Sequence, residues 1–206
     1  DRSVSRGLGD VYKRQDKFTE PLQCPFITHW LHNMTHDQVL DMLKYLGMGN
    51  RPEDKVKVIF VPCYQDGHDG ILNKHYYDLI LGEDLSVYPS YYEPWGYTPL
   101  ESVAFRVPTI TTDLAGFGLW VNSLKNQHGI NDGVEVLHRS DYNYSEVADG
   151  IKDTVALFST KTEAEIKEIR KRAGQVAEQA LWKHFIQYYY EAYDIALRNA
   201  MKRQLK

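Results

Sequence analysis

The chain has 206 residues, of which 43% are hydrophobic and 25% are charged, and this composition is typical of a globular protein with its own core. The formal net charge of -4 argues against nucleic-acid or anionic-membrane partners, because binding them requires basic residues that neutralise rows of phosphates. No apolar run approaches the roughly 20 residues of a membrane span, and Cys24 and Cys63 lie far apart, which suits a reducing compartment. We therefore expect a cytoplasmic protein.

Residues 1–15 lack the apolar periodicity of the segments that follow them. Within this stretch, "DVYKRQ" (Asp10–Gln15) resembles the translated end of an adapter used in sequencing libraries. We interpret residues 1–15 as a disordered scar and exclude them from fold reasoning. We expect the remaining residues, 16–206, to be part of a longer protein that was cut off upstream.

Short apolar runs alternate with helical patterns from residue 16 to about residue 144, as they do in a parallel sheet covered by helices. The run Lys55–Pro62 is rich in β-branched residues, which predicts a strand buried on both faces. The other predicted strands are Asp84–Pro89, Pro108–Thr112 and Gly133–His138. The predicted helices are His36–Leu46, Lys74–Leu81, Pro99–Phe105 and Gly116–Leu124. This order predicts a doubly wound, Rossmann-like α/β fold.

Beyond Tyr144 the pattern becomes wholly helical, which predicts C-terminal helices as an extension of one domain over residues 16–206. Thr162 and Glu165 have the spacing of a capping box at the start of the second of these helices. The third helix carries an aromatic stripe, which we interpret as core packing. The apolar positions expected to be buried are Val147, Ile151 and Val155, then Ile166, Ile169, Ala173 and Val176, then Trp182, Phe185, Tyr189, Tyr193 and Ala196.

The stretch "YPSYYEPWGYTPLES" (Tyr88–Ser102) follows a predicted strand, so it is expected at the carboxyl edge of the sheet, where open α/β folds bind ligands. Thr98, Pro99 and Glu101 have the spacing of an N-cap, a first helical residue and a third helical residue. A helix that begins at Thr98, after the flexible Gly96, would present free N–H groups to a phosphate or diphosphate.

Glu93 and Glu101 flank this predicted anion site, with seven residues between them. A carboxylate can accept hydrogen bonds from two vicinal hydroxyls, so one glutamate could hold a ribose and the other a pyranose. Two alternatives stay open at this point. Glu101 could simply cap its own helix, and Glu93 could be half of the acid/base pair of a glycosidase.

Asp66, His68 and Asp69 lie within four residues, but the glycine-rich "QDGHDG" is better explained as a turn than as a metal site. Cys63 and His68 could be a nucleophile and its base, although no third orienting group is identifiable. The remaining histidines of this region, which we interpret as structural, are His29, His32 and His36.

The run "YPSYYEPWGYTPLESVAFRVPTITTDLAGFG" (Tyr88–Gly118) resembles the donor-site signature of glycogen synthases of the animal and fungal type. Glu93 and Glu101 match the E-x7-E element of that family. The similarity extends upstream through Thr28–Met34 and Val56–Cys63, and weakly downstream to the helix around Trp182. The resemblance implies the C-terminal half of a two-domain fold called GT-B.

The resemblance also implies an activity, which is transfer of glucose from UDP-glucose to glycogen or another α-glucan, with retention of configuration and without a metal. Glu93 matches the catalytic position beside the transferred glucose. Tyr76 falls where the family places a ring against uracil, although it is explained equally well as a core tyrosine. The remaining donor-binding positions implied by the motif are Trp95, Gly96, Tyr97 and Thr98 at the diphosphate end and Glu101 at the ribose.

Two departures from the family pattern limit this reading. The N-terminal GT-B domain and the Arg and Lys that grip the donor phosphates lie upstream of this chain, so we expect weak nucleotide binding and little or no glucose transfer from this chain alone. Only Arg170, Lys171 and Arg172 stand where the family has an arginine-rich helix that senses glucose 6-phosphate, so that control is not expected. The alternatives are an ADP-glucose starch synthase, an epimerase, or a non-catalytic nucleotide- or carbohydrate-binding module.

Overall fold

The computed structural model of the chain describes residues 31–33, 35–70, 72–125, 127 and 129–204. The chain divides into two compact units, Asp1–Leu79 and Ile80–Lys206. The adapter-like segment 1–15, Cys24, His29 and most of Thr28–Met34 lie outside the described residues.

The first unit contains the helix α1 (Gln38–Tyr45), which confirms the helix predicted over His36–Leu46. Asp37 is its N-cap, because the Asp37 Oδ1 atom accepts hydrogen bonds from the N–H groups of Val39 and Leu40, both at 3.0 Å. The unit also holds the beginning of α2 (Tyr76–Ile80), which lies within the helix predicted over Lys74–Leu81.

The prediction of a strand over Lys55–Pro62 is wrong for the described structure, which assigns no strand there. Val58 exchanges backbone hydrogen bonds with the side chain of Asn50, at 2.8 Å to Oδ1 and 2.6 Å from Nδ2. Val56 and Ile59 are 60% and 55% exposed. β-Branched residues favour a strand when they pack beside a neighbouring strand, and here an asparagine side chain takes the place of that neighbour.

The second unit is built on a three-stranded parallel sheet with the order β1-β2-β3, which is consistent with a Rossmann-like α/β fold. Three of the four predicted strands are confirmed, and all four side chains of β2 are buried, as expected of a strand covered on both faces. The strands are β1 (Ser86–Val87), β2 (Thr109–Thr112) and β3 (Val134–Leu137). The helices are α3 (Tyr97–Ala104), α4 (Gly116–Ser123), α5 (Tyr144–Ser159), α6 (Glu163–Gln179) and α7 (Trp182–Gln204).

The core of the second unit lies between the sheet and helices α3, α4 and α6. Each fully buried aliphatic or aromatic side chain there contributes roughly 1.5–3 kcal/mol to folding. The predicted capping box of α6 is confirmed, because the Thr162 N–H donates to Glu165 Oε2 at 2.8 Å and the Glu165 N–H donates to Thr162 Oγ1. The buried members of the main cluster are Val103, Phe117, Val121, Val134, Ala173 and Val176.

The buried face of α5 differs from the predicted one. Val147 is buried as expected, but Val155 is 42% exposed, and Thr154 and Phe158 are buried instead. Each four-residue step turns a helix about 40° past a full revolution, so two such steps carry Val155 off the face of Val147. A step of seven residues from Val147 to Thr154, followed by a step of four to Phe158, keeps both side chains close to the face of Val147.

The prediction that the aromatic stripe of α7 packs in the core is wrong for most of its members. Phe185 is half-buried and packs against Trp120, with ring centroids 5.4 Å apart. Trp182, Tyr189 and Tyr193 are 58%, 48% and 58% exposed, and their rings contact one another along the helix. Among the described helices, even the 23-residue α7 lacks the apolar length that a bilayer crossing requires.

A chain of hydroxyl groups ties α3 to β1. Ser102, which is fully buried on α3, donates from Oγ to Ser86 Oγ at 3.1 Å and lies 2.8 Å from the Tyr88 hydroxyl. Ser86 in turn donates to Glu83 Oε2 at 2.8 Å. The second half of α3 is therefore tied to the strand that precedes it.

We predict that Ser102→Ala destabilises the protein by about 1–3 kcal/mol, because the Tyr88 hydroxyl loses its bond to Ser102 and the buried Ser86 hydroxyl loses its donor. Urea unfolding measures this difference. The matched control is Ser123→Ala, which removes an exposed hydroxyl bonded to the Trp120 carbonyl and should cost less than about 0.5 kcal/mol. Equal effects of the two substitutions would contradict the prediction.

Candidate functional site

The segment between β1 and α3 runs along the carboxyl edge of the sheet, as predicted for the "YPSYYEPWGYTPLES" stretch. The Tyr88 N–H continues the β1 ladder by donating to the Ile110 carbonyl at 2.8 Å, and Thr112 Oγ1 donates to the Ser90 carbonyl at 2.6 Å. Further along, Glu93 is exposed and its backbone forms a parallel bridge with Ala115. Glu93 therefore lies where open α/β folds bind ligands.

Helix α3 begins at Tyr97, two residues before the predicted first helical residue, Pro99. Gly96, with a φ of 103°, is its N-cap, so Thr98 is the second helical residue and the predicted Thr98 cap is wrong. A positive φ is natural for glycine, and the turn that it makes starts the helix without a capping side chain. The N–H groups of Tyr97 and Thr98 have no acceptor within the helix. Tyr97 and Thr98 are both exposed, and amides at the start of a helix can in general bind an anion.

The side chain of Glu93 lies beside this helix start. A Cβ atom on Gly96 would stand 3.5 Å from Glu93 Cγ, 3.2 Å from Pro99 Cγ and 3.6 Å from Phe117 Cβ. Gly96 is buried beneath these groups, whereas Glu93 is exposed. The structure thus brings a carboxylate stem and the amide groups of α3 to one place.

Helix α4 holds the same segment from the other side. The Gly116 N–H donates to the Glu93 carbonyl at 3.1 Å, and the Phe117 N–H donates to the Trp95 carbonyl at 2.6 Å. A Cβ atom on Gly116 would stand 2.3 Å from the Pro94 carbonyl oxygen, so only glycine permits this approach. Two amides of the first turn of α4 therefore bind the protein's own backbone.

The other predicted site residues are distributed differently. The Trp95 ring is half-buried and packs against Phe117, Trp120 and Phe185, with centroids 5.4–6.1 Å apart. Glu101 is half-buried on α3, one turn after Tyr97. Tyr76 is half-buried on α2, with its ring 5.3 Å from that of Tyr77. The residues that the structure brings together are Glu93, Gly96, Tyr97 and Thr98.

The "QDGHDG" stretch forms the turn that its composition predicts. Asp69 is buried, and its two carboxylate oxygens accept hydrogen bonds from the Leu72 and Asn73 N–H groups at 2.7 and 2.8 Å. Asp66 Oδ1 likewise accepts from the His68 N–H at 2.9 Å. Within the part of the chain that the structure describes, no three His, Cys, Asp or Glu residues are grouped as a metal site would require.

A charged cluster at the ends of β2 and β3 was missed by sequence reasoning. Asp113 Oδ2 lies 2.6 Å from His138 Nδ1, and Asp113 Oδ1 accepts from the Arg139 N–H at 2.9 Å. This hydrogen bond and the charge of Asp113 raise the pKa of His138 above its ordinary value. The only indication of this pair in the sequence is that a titratable residue follows each strand directly, Asp113 after β2 and His138 after β3.

The comparisons with known proteins agree on one family. The family model described as glycogen synthase matches residues 15–206. The glycogen [starch] synthase isoforms 1 and 2 of Saccharomyces cerevisiae are each 32% identical to the chain, over 88% and 97% of its length. The glycogen [starch] synthase of Neurospora crassa is 31% identical over 85% of the chain. The chain spans 25–30% of the length of these three relatives.

We predict that Gly96→Ala destabilises the protein by about 1–3 kcal/mol, because a side chain at a φ of 103° is strained and its Cβ would crowd Pro99. Thermal or urea unfolding measures the change. Gly49→Ala is the control, since its φ is ordinary and its Cβ would lie 3.9 Å from the nearest heavy atom, Arg51 Cγ. A Gly96→Ala variant as stable as the control would contradict the assigned geometry.

We also predict that His138 titrates above its ordinary pKa and that Asp113→Asn lowers this pKa, as read by NMR of the His138 ring. Because the folded-state pKa is raised, the extra stability over His138→Gln is fully present below the unfolded pKa. It is lost as the pH rises through the folded pKa. Asp149→Asn, which removes an exposed carboxylate paired with Lys152, should leave His138 unchanged. An equal shift in both variants would exclude the local hydrogen bond as the cause.

Proposed function

The chain belongs to the glycogen synthase family, and we propose that it is the donor-binding half of a GT-B enzyme that extends an α-1,4-glucan with glucose from UDP-glucose. One observation carries this proposal, namely that the Glu93 side chain lies beside the amino end of α3 at the carboxyl edge of a parallel sheet. The family membership and this geometry support the same pair of tasks, which are binding a diphosphate and contacting its sugar.

In the proposed complex, the N–H groups of Tyr97 and Thr98 bind the donor diphosphate. The amino end of a helix carries about half a positive charge. As the bond between glucose and UDP breaks, negative charge grows on the departing diphosphate, and fixed amide dipoles stabilise that charge without rearranging. This role requires exposed and preorganised amides, and it is supported by the Gly96 N-cap, which starts the helix without a capping side chain.

The two glutamates take different parts of the donor in this proposal. The carboxylate of Glu93 contacts the transferred glucose and stabilises the positive charge that develops on its ring, in a reaction that retains configuration. Glu101, one turn along α3, accepts hydrogen bonds from the ribose hydroxyls. Tyr76 is proposed to stack on the uracil. Trp95 contributes its backbone, because its ring packs among Phe117, Trp120 and Phe185.

The basic residues of α6 are engaged within the second unit. Arg170 donates to the Glu83 carbonyl at 2.9 Å, Lys171 lies 3.4 Å from Glu168, and Arg172 forms a 2.8 Å ion pair with Asp132. This supports the expectation that the helix does not serve as a sensor of a sugar phosphate. A phosphate bound there would have to displace these contacts.

We propose that the full activity needs protein outside this chain, since the chain spans 25–30% of the length of the relatives that it matches. The acceptor site and the cations that hold the donor phosphates are proposed to belong to an N-terminal GT-B domain. We therefore expect this chain alone to bind nucleotide weakly and to transfer little or no glucose. The cellular location is proposed to be the cytoplasm.

We predict that UDP quenches the tryptophan fluorescence of the chain and that Glu101→Ala weakens UDP binding about 10-fold or more, because hydrogen bonds to a carboxylate are worth about 1.5–3 kcal/mol. Glu178→Ala, which removes an exposed carboxylate from α6, is the control and should bind UDP normally. UDP affinity unchanged in Glu101→Ala would refute the ribose role.

Titrations with ADP and glycogen separate the alternatives. Preference for ADP over UDP would indicate an enzyme of the starch synthase type. Binding of glycogen without either nucleotide would indicate a carbohydrate-binding module. Turnover of UDP-glucose by the chain alone would contradict the expected dependence on an N-terminal domain.

A further inference from the structure

Arg139 joins the end of β3 to the segment that carries Glu93. Its Nη1 atom donates to the Pro89 carbonyl, and its guanidinium carbon lies 4.9 Å from the centroid of the Tyr91 ring. A guanidinium at this distance from a tyrosine ring makes a favourable cation–π contact. Arg139 therefore contacts both Pro89 and Tyr91, which lie four and two residues before Glu93.

The Tyr91 ring is also fixed at its other end, because its hydroxyl donates to Asp141 Oδ1. Tyr91 is nevertheless 52% exposed, so burial does not explain why two residues after β3 hold it. These contacts restrict the directions that the chain can take between Pro89 and Glu93.

Arg139 is itself held by the register of the sheet. Thr112 pairs with Leu137 across β2 and β3, and the Asp113 N–H continues this ladder by donating to the Leu137 carbonyl at 3.0 Å. Asp113 Oδ1 then accepts the Arg139 N–H at 2.9 Å. The Arg139 backbone is thus tied to the paired ends of β2 and β3.

The segment has a second, independent support, which is the pairing of the Glu93 backbone with Leu114 and Gly116. This support fixes where the Glu93 backbone lies. The direction of the side chain depends also on the preceding residues, which Arg139 holds. Loss of Arg139 would leave the Glu93 backbone in place but would allow the Glu93 carboxylate a wider range of directions.

We propose that Arg139 is a positioning residue for Glu93, acting through Pro89 and Tyr91 without contacting the substrate. The inference rests on the proposed function, in which Glu93 contacts the glucose of the donor. It predicts an effect confined to the glucose part of donor affinity, because the amides of Tyr97 and Thr98 bind the diphosphate separately. Misplacing a group by about 1 Å can cost a large factor in a site of this kind.

The test is the ratio of UDP-glucose affinity to UDP affinity, measured by titration of the chain and of its variants. Glu93→Gln should lower this ratio and thereby define the contribution of the carboxylate. Arg139→Ala should lower the ratio by about the same factor while UDP affinity changes less than about 2-fold. Arg139→Ala added to Glu93→Gln should lower the ratio no further, because both changes remove one contribution.

Arg172→Ala is the matched control, since Arg172 is an ion-paired arginine on α6, and it should keep the wild-type ratio. Arg139→Lys keeps the charge but loses the planar contact with Tyr91, and it should also lower the ratio. If Arg139→Ala fails to fold, the ratio of UDP-glucose affinity to UDP affinity is measured in Arg139→Lys and Tyr91→Phe instead.

The outcomes separate the two proposals. A lowered ratio in Glu93→Gln together with a wild-type ratio in Arg139→Ala and Arg139→Lys overturns the positioning role and leaves the proposed function intact. An equal loss of UDP and UDP-glucose affinity in the Arg139 variants, or additivity with Glu93→Gln, also overturns it, because a general structural role would act in that way. A wild-type chain that binds neither ligand, or a Glu93→Gln variant with an unchanged ratio, refutes the proposed function and this inference with it.

Discussion

The candidate site depends on a contact between two stretches of backbone. Helix α4 begins so close to Pro94 that a single Cβ atom on Gly116 would stand 2.3 Å from the Pro94 carbonyl oxygen. At this distance the amides of Gly116 and Phe117 bind the carbonyls of Glu93 and Trp95. The starts of α3 and α4 therefore share one short segment, in which α4 supplies support and α3 supplies unused amides. A substituent at Gly116 would therefore force the start of α4 away from Pro94.

The side chains of this segment divide between the core and the solvent. The Trp95 ring packs with Phe117, Trp120 and Phe185, and aromatic pairs of this kind contribute about 0.5–1.5 kcal/mol each beyond the burial of their area. Glu93 and Tyr97, on either side of Trp95 in the chain, are exposed. Two residues can therefore face a ligand because the ring between them is anchored beneath.

The sequence predicts much of this architecture because the strands and helices of the second unit have strong local patterns. The helix starts are harder to predict, since Thr98, Pro99 and Glu101 have the spacing of a capping box while the positive φ of Gly96 begins the helix two residues earlier. Lys55–Pro62 has a strand-like composition, but local pattern contains no information about a pairing partner. The Asp113–His138 pair could not be predicted because its members are 25 residues apart. Only the pairing of Thr112 with Leu137 brings them side by side.

Glu93 differs from Asp113 and Asp141, two other carboxylates at this edge of the sheet, in its hydrogen bonding. Asp113 is occupied by His138 and the Arg139 backbone, and Asp141 accepts the Tyr91 hydroxyl. Within the described residues, no protein group donates to the carboxylate of Glu93. An exposed carboxylate retains its full capacity to accept hydrogen bonds, which sugar hydroxyls can use. Asp113 and Asp141 therefore hold the loops at this edge, whereas Glu93 keeps its hydrogen-bonding capacity, and local sequence patterns do not contain this difference.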